Sequence, residues 1–233
     1  MNPAAVAVPV EDTHGDGRWM SLHNRFKTET KDREPDVLMI GDSLIQQLGN
    51  TEMWEKMFVP LHCLNFGIGA DQTQHVLWRL QHGELDNINP KIIVLLVGTN
   101  NHGHTADQVT EGILEIVKCI RDKQPQAQLI VMGIPPRGQH HNPLREKIAT
   151  INTALAEKLS SLVNTQFLNV DPGIFLNPAD GSISRQDMYD YLHFTQKGYR
   201  KLCEPLLEEL QNLLKNFVKV ESDMGEVEGA AAE

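Results

Sequence analysis

Five short apolar runs, at positions 37–40, 61–66, 92–97, 129–134 and 166–170, punctuate the chain. They are rich in Val, Ile and Leu with little polar alternation, the pattern of strands covered on both faces. Between them lie longer amphipathic stretches at 52–58, 73–82, 105–123 and 143–162, and a last one at 196–217. In the third of these, Val109, Ile113, Ile116, Val117 and Ile120 recur at spacings that draw one buried stripe along a helix. Regular strand–helix alternation predicts an α/β fold: a single domain in which helices cover both faces of a five-stranded parallel sheet.

The ends of the chain read differently. Residues 1–16 are rich in Ala, Pro and Asp without periodicity and are expected to form a flexible arm. Residues 220–233 are acidic, end in Gly-Ala-Ala-Ala-Glu and are expected to be disordered. The folded domain is placed at 17–219.

Ligands of open parallel sheets bind beyond the carboxyl ends of the strands, so the residues just after each apolar run carry the functional reading. Strand one is followed by Gly41-Asp42-Ser43-Leu44-Ile45, with Ser43 placed to open a helix at the upper sheet edge. Strand two runs into Gly67-Ile68-Gly69-Ala70-Asp71, and strand three into Gly98-Thr99-Asn100-Asn101. The long segment after strand five carries Asp187-Met188-Tyr189-Asp190-Tyr191-Leu192-His193 just before the last helix.

These residue types make a coherent chemistry. A serine hydroxyl needs a base to become a nucleophile, and an imidazole, with an ordinary pKa of about 6.5, is available for that near neutral pH. A carboxylate at the other ring nitrogen fixes the tautomer. Ser43, His193 and Asp190 are the candidates for the three roles. The backbone N–H groups of Ser43 and Ala70 and the side-chain amide of Asn100 are candidate donors to an oxyanion. The segment is not a Gly-x-Ser-x-Gly elbow, since Ile45 stands at the final glycine position.

Bland readings stand beside these. Ser43 alone could be a helix cap, Asp190 and His193 a surface pair, and Asn100 a turn former beside Gly98. Asp42 reads as a cap for the following helix, and Pro135-Pro136-Arg137-Gly138 as a rigid rim near the site. His75 and Trp78 read as helix packing, and Trp19 as packed or interfacial.

Charge and cysteine content narrow the partners. A net charge of −10 with the 21 Lys and Arg scattered argues against a nucleic-acid surface. The start of the chain lacks a basic n-region, and no run approaches a membrane span. Three cysteines without close pairing (Cys63, Cys119 and Cys203) read as reduced thiols, hence a cytoplasmic protein. His102-x-His104 and His140-His141 lack the spacing and companions of a metal site, so no metal or other cofactor is expected.

The segments Gly41-Asp42-Ser43-Leu44, Gly67 to Asp71, Gly98-Thr99-Asn100 and Asp190-Tyr191-Leu192-His193 resemble the signature blocks of the SGNH, or GDSL, hydrolase superfamily. The longer runs Gly15-Asp16-Gly17-Arg18-Trp19-Met20, Asn65-Phe66-Gly67-Ile68-Gly69, His75-Val76-Leu77-Trp78-Arg79-Leu80 and Gly98-Thr99-Asn100-Asn101-His102 resemble the catalytic alpha subunits of type Ib platelet-activating factor acetylhydrolases. Asn101-His102-Gly103-His104 and Pro143-Leu144-Arg145-Glu146-Lys147 lean towards the alpha-1 form.

The resemblance implies a flavodoxin-like three-layer fold and Ser43, Asp190 and His193 as a catalytic triad. It implies metal-free removal of the sn-2 acetyl group from a phospholipid substrate, platelet-activating factor. Leu44, Thr99 and Leu192 are expected to wall off a short acyl pocket. The resemblance further implies homo- or heterodimers of alpha subunits that associate with a WD-repeat beta regulatory subunit of the lissencephaly type. Two alternatives remain: an esterase of other small acetylated substrates, and an alpha-type subunit whose main role is to bind the WD-repeat partner. The family usually carries Gly-Gly-Asp where this chain has Gly69-Ala70-Asp71. Alanine keeps the N–H needed there, at a conformational cost if φ is positive.

Overall fold

The computed structural model describes residues 1–230, with side chains described as far as residue 225. Strands β1 (Val37–Gly41), β2 (Cys63–Gly67), β3 (Ile92–Leu96), β4 (Gln128–Met132) and β5 (Thr165–Leu168) form one sheet in the order β2-β1-β3-β4-β5. Every pairing is parallel. All five expected strands are present, each within a few residues of the expected bounds.

Successive strand residues enter opposite layers, as the two-residue period of a strand requires. Leu38, Ile40, Ile93 and Leu95 join one hydrophobic cluster; Val37, Met39, Ile92 and Val94 join the other. The first layer is covered by α1 (Arg18–Asp32), α3 (Thr73–Arg79), α4 (Ala106–Lys123) and α5 (Pro143–Leu159). The second is covered by α2 (Ser43–Leu48) and α6 (Gln196–Ala230). The stripe expected on α4 is the buried face of that helix.

Helix α1 has no counterpart in the hydrophobic pattern. Its buried positions are Trp19, His23, Phe26 and Thr30, spaced as a helical stripe in which every second member is polar. The period is there, but half of it is written in residues that a hydropathy reading counts as surface.

Both ends depart from expectation. The arm is docked: Ala4 is fully buried, its carbonyl accepts from Thr73 Oγ1 at 2.7 Å, and Asn2 Nδ2 donates to the Gln108 carbonyl at 3.0 Å. Val8 N–H reaches the Gln74 carbonyl at 3.3 Å. Hydrogen bonds that use backbone groups of the arm or a single polar side chain, and the close seat of the Ala4 carbonyl against Gly112, hold it, and neither leaves a periodic trace. A β-carbon on Gly112 would come within 2.6 Å of the Ala4 carbonyl oxygen. The acidic segment expected to be disordered is helical as far as Ala230, with its residues exposed from Lys219 to Gly225. No proline interrupts it there, so helix α6 propagates past its last buried turn. Residues 231–233 lie outside the described residues.

The strand order reverses between β1 and β3, which opens a crevice at their carboxyl ends. The β1 end carries Ser43 and the β3 end carries Thr99 and Asn100.

Candidate active site

Ser43 opens α2, and the cap of that helix is Asp42, whose Oδ1 accepts the Leu44 N–H at 3.0 Å. A side-chain oxygen in this position satisfies one of the donors that a helix start leaves free. Asp42 is fully buried, its second oxygen meets no partner, and burial pushes the carboxyl up to about 7. Helix α2 lies close over β2: a β-carbon on Gly67 would collide with the Gln46 backbone, so only glycine fits beneath it.

The last stretch before α6 brings a histidine to this serine. Ser43 Oγ and His193 Nε2 are 2.9 Å apart, and His193 Nδ1 lies 2.6 Å from Asp190 Oδ2. The other oxygen of Asp190 accepts the backbone N–H groups of Leu192 at 3.1 Å and His193 at 2.7 Å. This is a local turn in which aspartate folds the chain back on itself. Burial works against ionisation of Asp190, yet the backbone N–H of His193, its ring and the Leu192 N–H hold the carboxyl below its ordinary value. An ionised carboxylate only accepts, so Nδ1 carries the proton and Nε2 is left free to accept from Ser43. Tyr191, at the centre of the turn, sits at φ 63°. The Tyr189 ring stacks on His193 at 5.9 Å, and its hydroxyl donates to Gln47 Oε1 at 2.9 Å.

The turn after β2 lies on the other side of the serine. A β-carbon on Gly69 would sit 3.8 Å from Ser43 Cβ. Gly69 N–H donates to Gln46 Oε1 at 3.0 Å, and Asp71 N–H to the Ile68 carbonyl at 3.3 Å. Between them Ala70 is exposed and left-handed, at φ 67°, which costs a residue with a β-carbon about 1–2 kcal/mol. Among the described residues, the Ala70 and Ser43 N–H groups have no hydrogen-bond acceptor. Asn100 Nδ2 donates to the Asp71 carbonyl at 3.0 Å, which uses one of its two N–H groups.

Behind this turn lies a charged network that the sequence reading did not foresee. Asp71 Oδ1 accepts Trp19 Nε1–H at 2.8 Å, and Oδ2 accepts Arg79 Nε–H at 2.9 Å. Arg79, with no exposed surface, also donates to Glu84 Oε1 at 2.5 Å, to the Phe66 carbonyl at 3.1 Å and to the Gly41 carbonyl at 3.1 Å. His23 Nδ1 meets Glu84 Oε2 at 2.6 Å. One guanidinium therefore ties together the last residues of β1 and β2 and the turn between β2 and α3. Burial pushes the Asp71 carboxyl up to about 6, against the pull of Arg79 and Trp19. One sequence signal pointed here: Arg79 stands three residues after the buried Val76, on the inner face of α3.

The expected acyl-pocket residues divide. Leu192 lines a cavity of about 590 Å³ with Arg137, Gly138, His140, Asn142 and Asp190. Thr99 is buried beside Arg137, whose Nη1 donates to the Thr99 carbonyl at 3.0 Å and to its hydroxyl at 3.1 Å. Leu44 is buried in the hydrophobic cluster shared by α2 and α6 and does not line that cavity. Of the Pro135–Gly138 segment expected at the rim, Arg137 and Gly138 line this cavity, whereas Pro135 and Pro136 are buried. His75 accepts the Gln72 N–H at 3.0 Å and so caps α3; burial pushes it down to about 4. His104 meets Asn101 Nδ2, and His141 meets Glu146. Among the described residues, no three His, Cys, Asp or Glu side chains are grouped to hold a metal ion.

Comparison with known proteins follows the same lines. Residues 39–201 match the GDSL-like Lipase/Acylhydrolase family. The chain belongs to this family. It is 55% identical over 213 residues to the platelet-activating factor acetylhydrolase IB subunit alpha1 of Bos taurus, covering 91% of each chain. To the alpha2 subunit of Rattus norvegicus it is 54% identical over 214 residues, covering 92% of this chain and 93% of the other. Identities this close do not separate the two forms, so the lean towards alpha-1 gains no support from them. A GDSL-like lipase from Bacteroides thetaiotaomicron superposes with a TM-score of 0.69 at 16% identity, covering 82% of this chain and 97% of that one. A carbohydrate esterase of family 3 from Talaromyces cellulolyticus gives 0.58 at 18% identity, covering 78% and 99%. The family is one of ester-cleaving acylhydrolases, and this GDSL-type chain shares their fold. No helix among the described residues is long and apolar enough to cross a membrane.

Proposed function

We propose that this GDSL-type acylhydrolase is a serine esterase in which Ser43 attacks the ester carbonyl, His193 takes its proton and Asp190 orients the imidazole. The observation that carries the reading is the continuous chain from Ser43 Oγ through His193 to Asp190, with contacts of 2.9 and 2.6 Å. In this reading, attack moves the serine proton to Nε2 while Asp190 stabilises the imidazolium. The carbonyl oxygen gains charge and is met by the free N–H groups of Ser43 and Ala70 and the second N–H of Asn100. His193 then returns the proton to the leaving alkoxide, and a water repeats the sequence on the acyl-enzyme.

For substrate we propose the sn-2 acetyl ester of platelet-activating factor and related short-acyl phospholipids. The similarity to the acetylhydrolase alpha subunits supports it. No step needs a metal. We further propose that the protein works in the cytoplasm, as a homodimer or a heterodimer with another alpha subunit, in association with a WD-repeat regulatory subunit; that its relatives are named as subunits supports assembly, and three unpaired cysteines support a reducing compartment. One observation favours a second reading, a mainly binding subunit with weak hydrolysis: the alanine at a left-handed position of the oxyanion turn.

The test is labelling with a fluorophosphonate probe, wild type beside Ser43→Ala, followed by acetate release from platelet-activating factor. Labelling of wild type alone, with acetate release, is expected. A wild type that does not label rules out the esterase; labelling without acetate release moves the substrate to another small ester.

A further inference from the structure

Ala70 holds a backbone conformation that a residue with a β-carbon avoids, and such conformations persist where the surroundings over-determine them. Ala70 itself is exposed, so its own side chain supplies no restraint. The restraint lies in its neighbour. Asp71 is gripped at every polar atom: its N–H by the Ile68 carbonyl, its carbonyl by Asn100 Nδ2, Oδ1 by Trp19 Nε1 and Oδ2 by Arg79 Nε. On the preceding side Gly69 N–H is fixed to Gln46 of α2, the helix that Ser43 opens.

We propose that Asp71, held by Trp19 and Arg79, is a positioning residue for the oxyanion hole: it keeps Ala70 left-handed so that the Ala70 N–H faces the reacting oxygen. Arg79 does a second thing in the same role. By donating to the carbonyls of Gly41 and Phe66 it locks the ends of β1 and β2 together, the two strands that deliver Ser43 and Ala70. The donor and the nucleophile are thus set relative to each other by one buried cation. This rests on the esterase reading of Ser43 and Ala70, and it assigns to the network a task beyond holding the fold.

Trp19→Phe is the mildest way to loosen the anchor. It removes one hydrogen bond to Asp71 and keeps an aromatic ring beside His23 and Trp78. Loss of a whole oxyanion donor costs about 10²–10³ in rate. A donor that is present but misdirected part of the time should therefore cost about tenfold in kcat for p-nitrophenyl acetate, with KM unchanged. Adding Ala70→Gly to Trp19→Phe should restore most of that loss, because glycine takes the left-handed conformation without the anchor. A merely structural network predicts otherwise: a lower Tm, an unchanged kcat and no rescue by glycine, and that result overturns the proposal. Asp71→Asn, which keeps an acceptor for Trp19 and removes the charge opposite Arg79, is the stronger second variant: its Tm falls under either account, so kcat and the rescue by Ala70→Gly carry the comparison there. The conformation of Ala70 in either variant, from backbone chemical shifts or a crystal structure, decides independently of turnover: φ leaving the positive range supports the anchor, and φ staying near its present value sinks it. Fluorophosphonate labelling of wild type reports on the esterase reading separately.

Discussion

Two residues with side chains stand left-handed beside Ser43, and they are held there by different means. Tyr191, at φ 63°, is held mostly by its own neighbourhood. Asp190 folds back onto the N–H groups of Leu192 and His193, Tyr191 N–H reaches the Met188 carbonyl, and Arg185 donates to the Tyr191 hydroxyl. Gly138 N–H, bonded to the Tyr191 carbonyl, is the one distant contribution among these bonds. Ala70, at φ 67°, is held from Trp19, Gln46, Arg79 and Asn100, four separate parts of the chain. The first arrangement is exposed and local; the second is buried and assembled by the fold. In the proposed mechanism the local loop handles the proton and the assembled one handles the negative charge.

The difference predicts that the two anchoring aspartates fail in different ways. Asp190→Asn should lower kcat by about 10⁴, as expected when the imidazole loses its orienting carboxylate. Its Tm should stay near wild type, because the side chain is 43% exposed. Steady-state kinetics beside a thermal melt checks this, and a large loss of stability would break the distinction. Asp71→Asn should behave in the opposite order. Removing one charge from a buried pair costs about 3–5 kcal/mol, and the lower end is expected because Glu84 still answers Arg79. Denaturant unfolding should show a shifted midpoint, with a fall in kcat far short of that for Asp190→Asn.

The smallest effect sharpens the same contrast at Asp42, a buried cap with no ion pair. Its folded pKa, about 7, lies above the ordinary carboxylate value of 3.8. Between those two values the folded state holds a proton that the unfolded chain has lost, so stability falls as pH rises through the window. The contribution is complete below about pH 4 and gone above about pH 7. Asp42→Asn should therefore gain stability relative to wild type as pH increases from 4 to 7. Melting curves across that range test the sign; a difference independent of pH would show that Asp42 does not titrate there.

Much of the candidate site was legible from the sequence because its pieces sit just after strands or just before a helix. Ser43, Asn100 and His193 follow apolar runs or precede a helix, and the rule that ligands gather at carboxyl strand ends marks them without coordinates. Asp190 was legible for a more local reason, three residues from the histidine it touches. Leu44 shows where that reasoning stops: its place in sequence beside Ser43 suggested a pocket wall, but the helix turns it into the core between α2 and α6.

What the sequence determined by itself is what short-range physics governs: the five strands and their helices, the capping Asp42, the Asp190 turn and the family. What only the tertiary structure decided is whatever joins residues far apart along the chain. Helix α1 escaped notice because two of its four buried residues are polar. Those residues become acceptable in a core only when their partners arrive, His23 beside Glu84 across an interval of 61 positions. The same holds for Trp19 and Asp71, 52 positions apart. A buried charge reads as a surface residue until the counter-charge that neutralises it is brought alongside, and that pairing belongs to the folded chain alone.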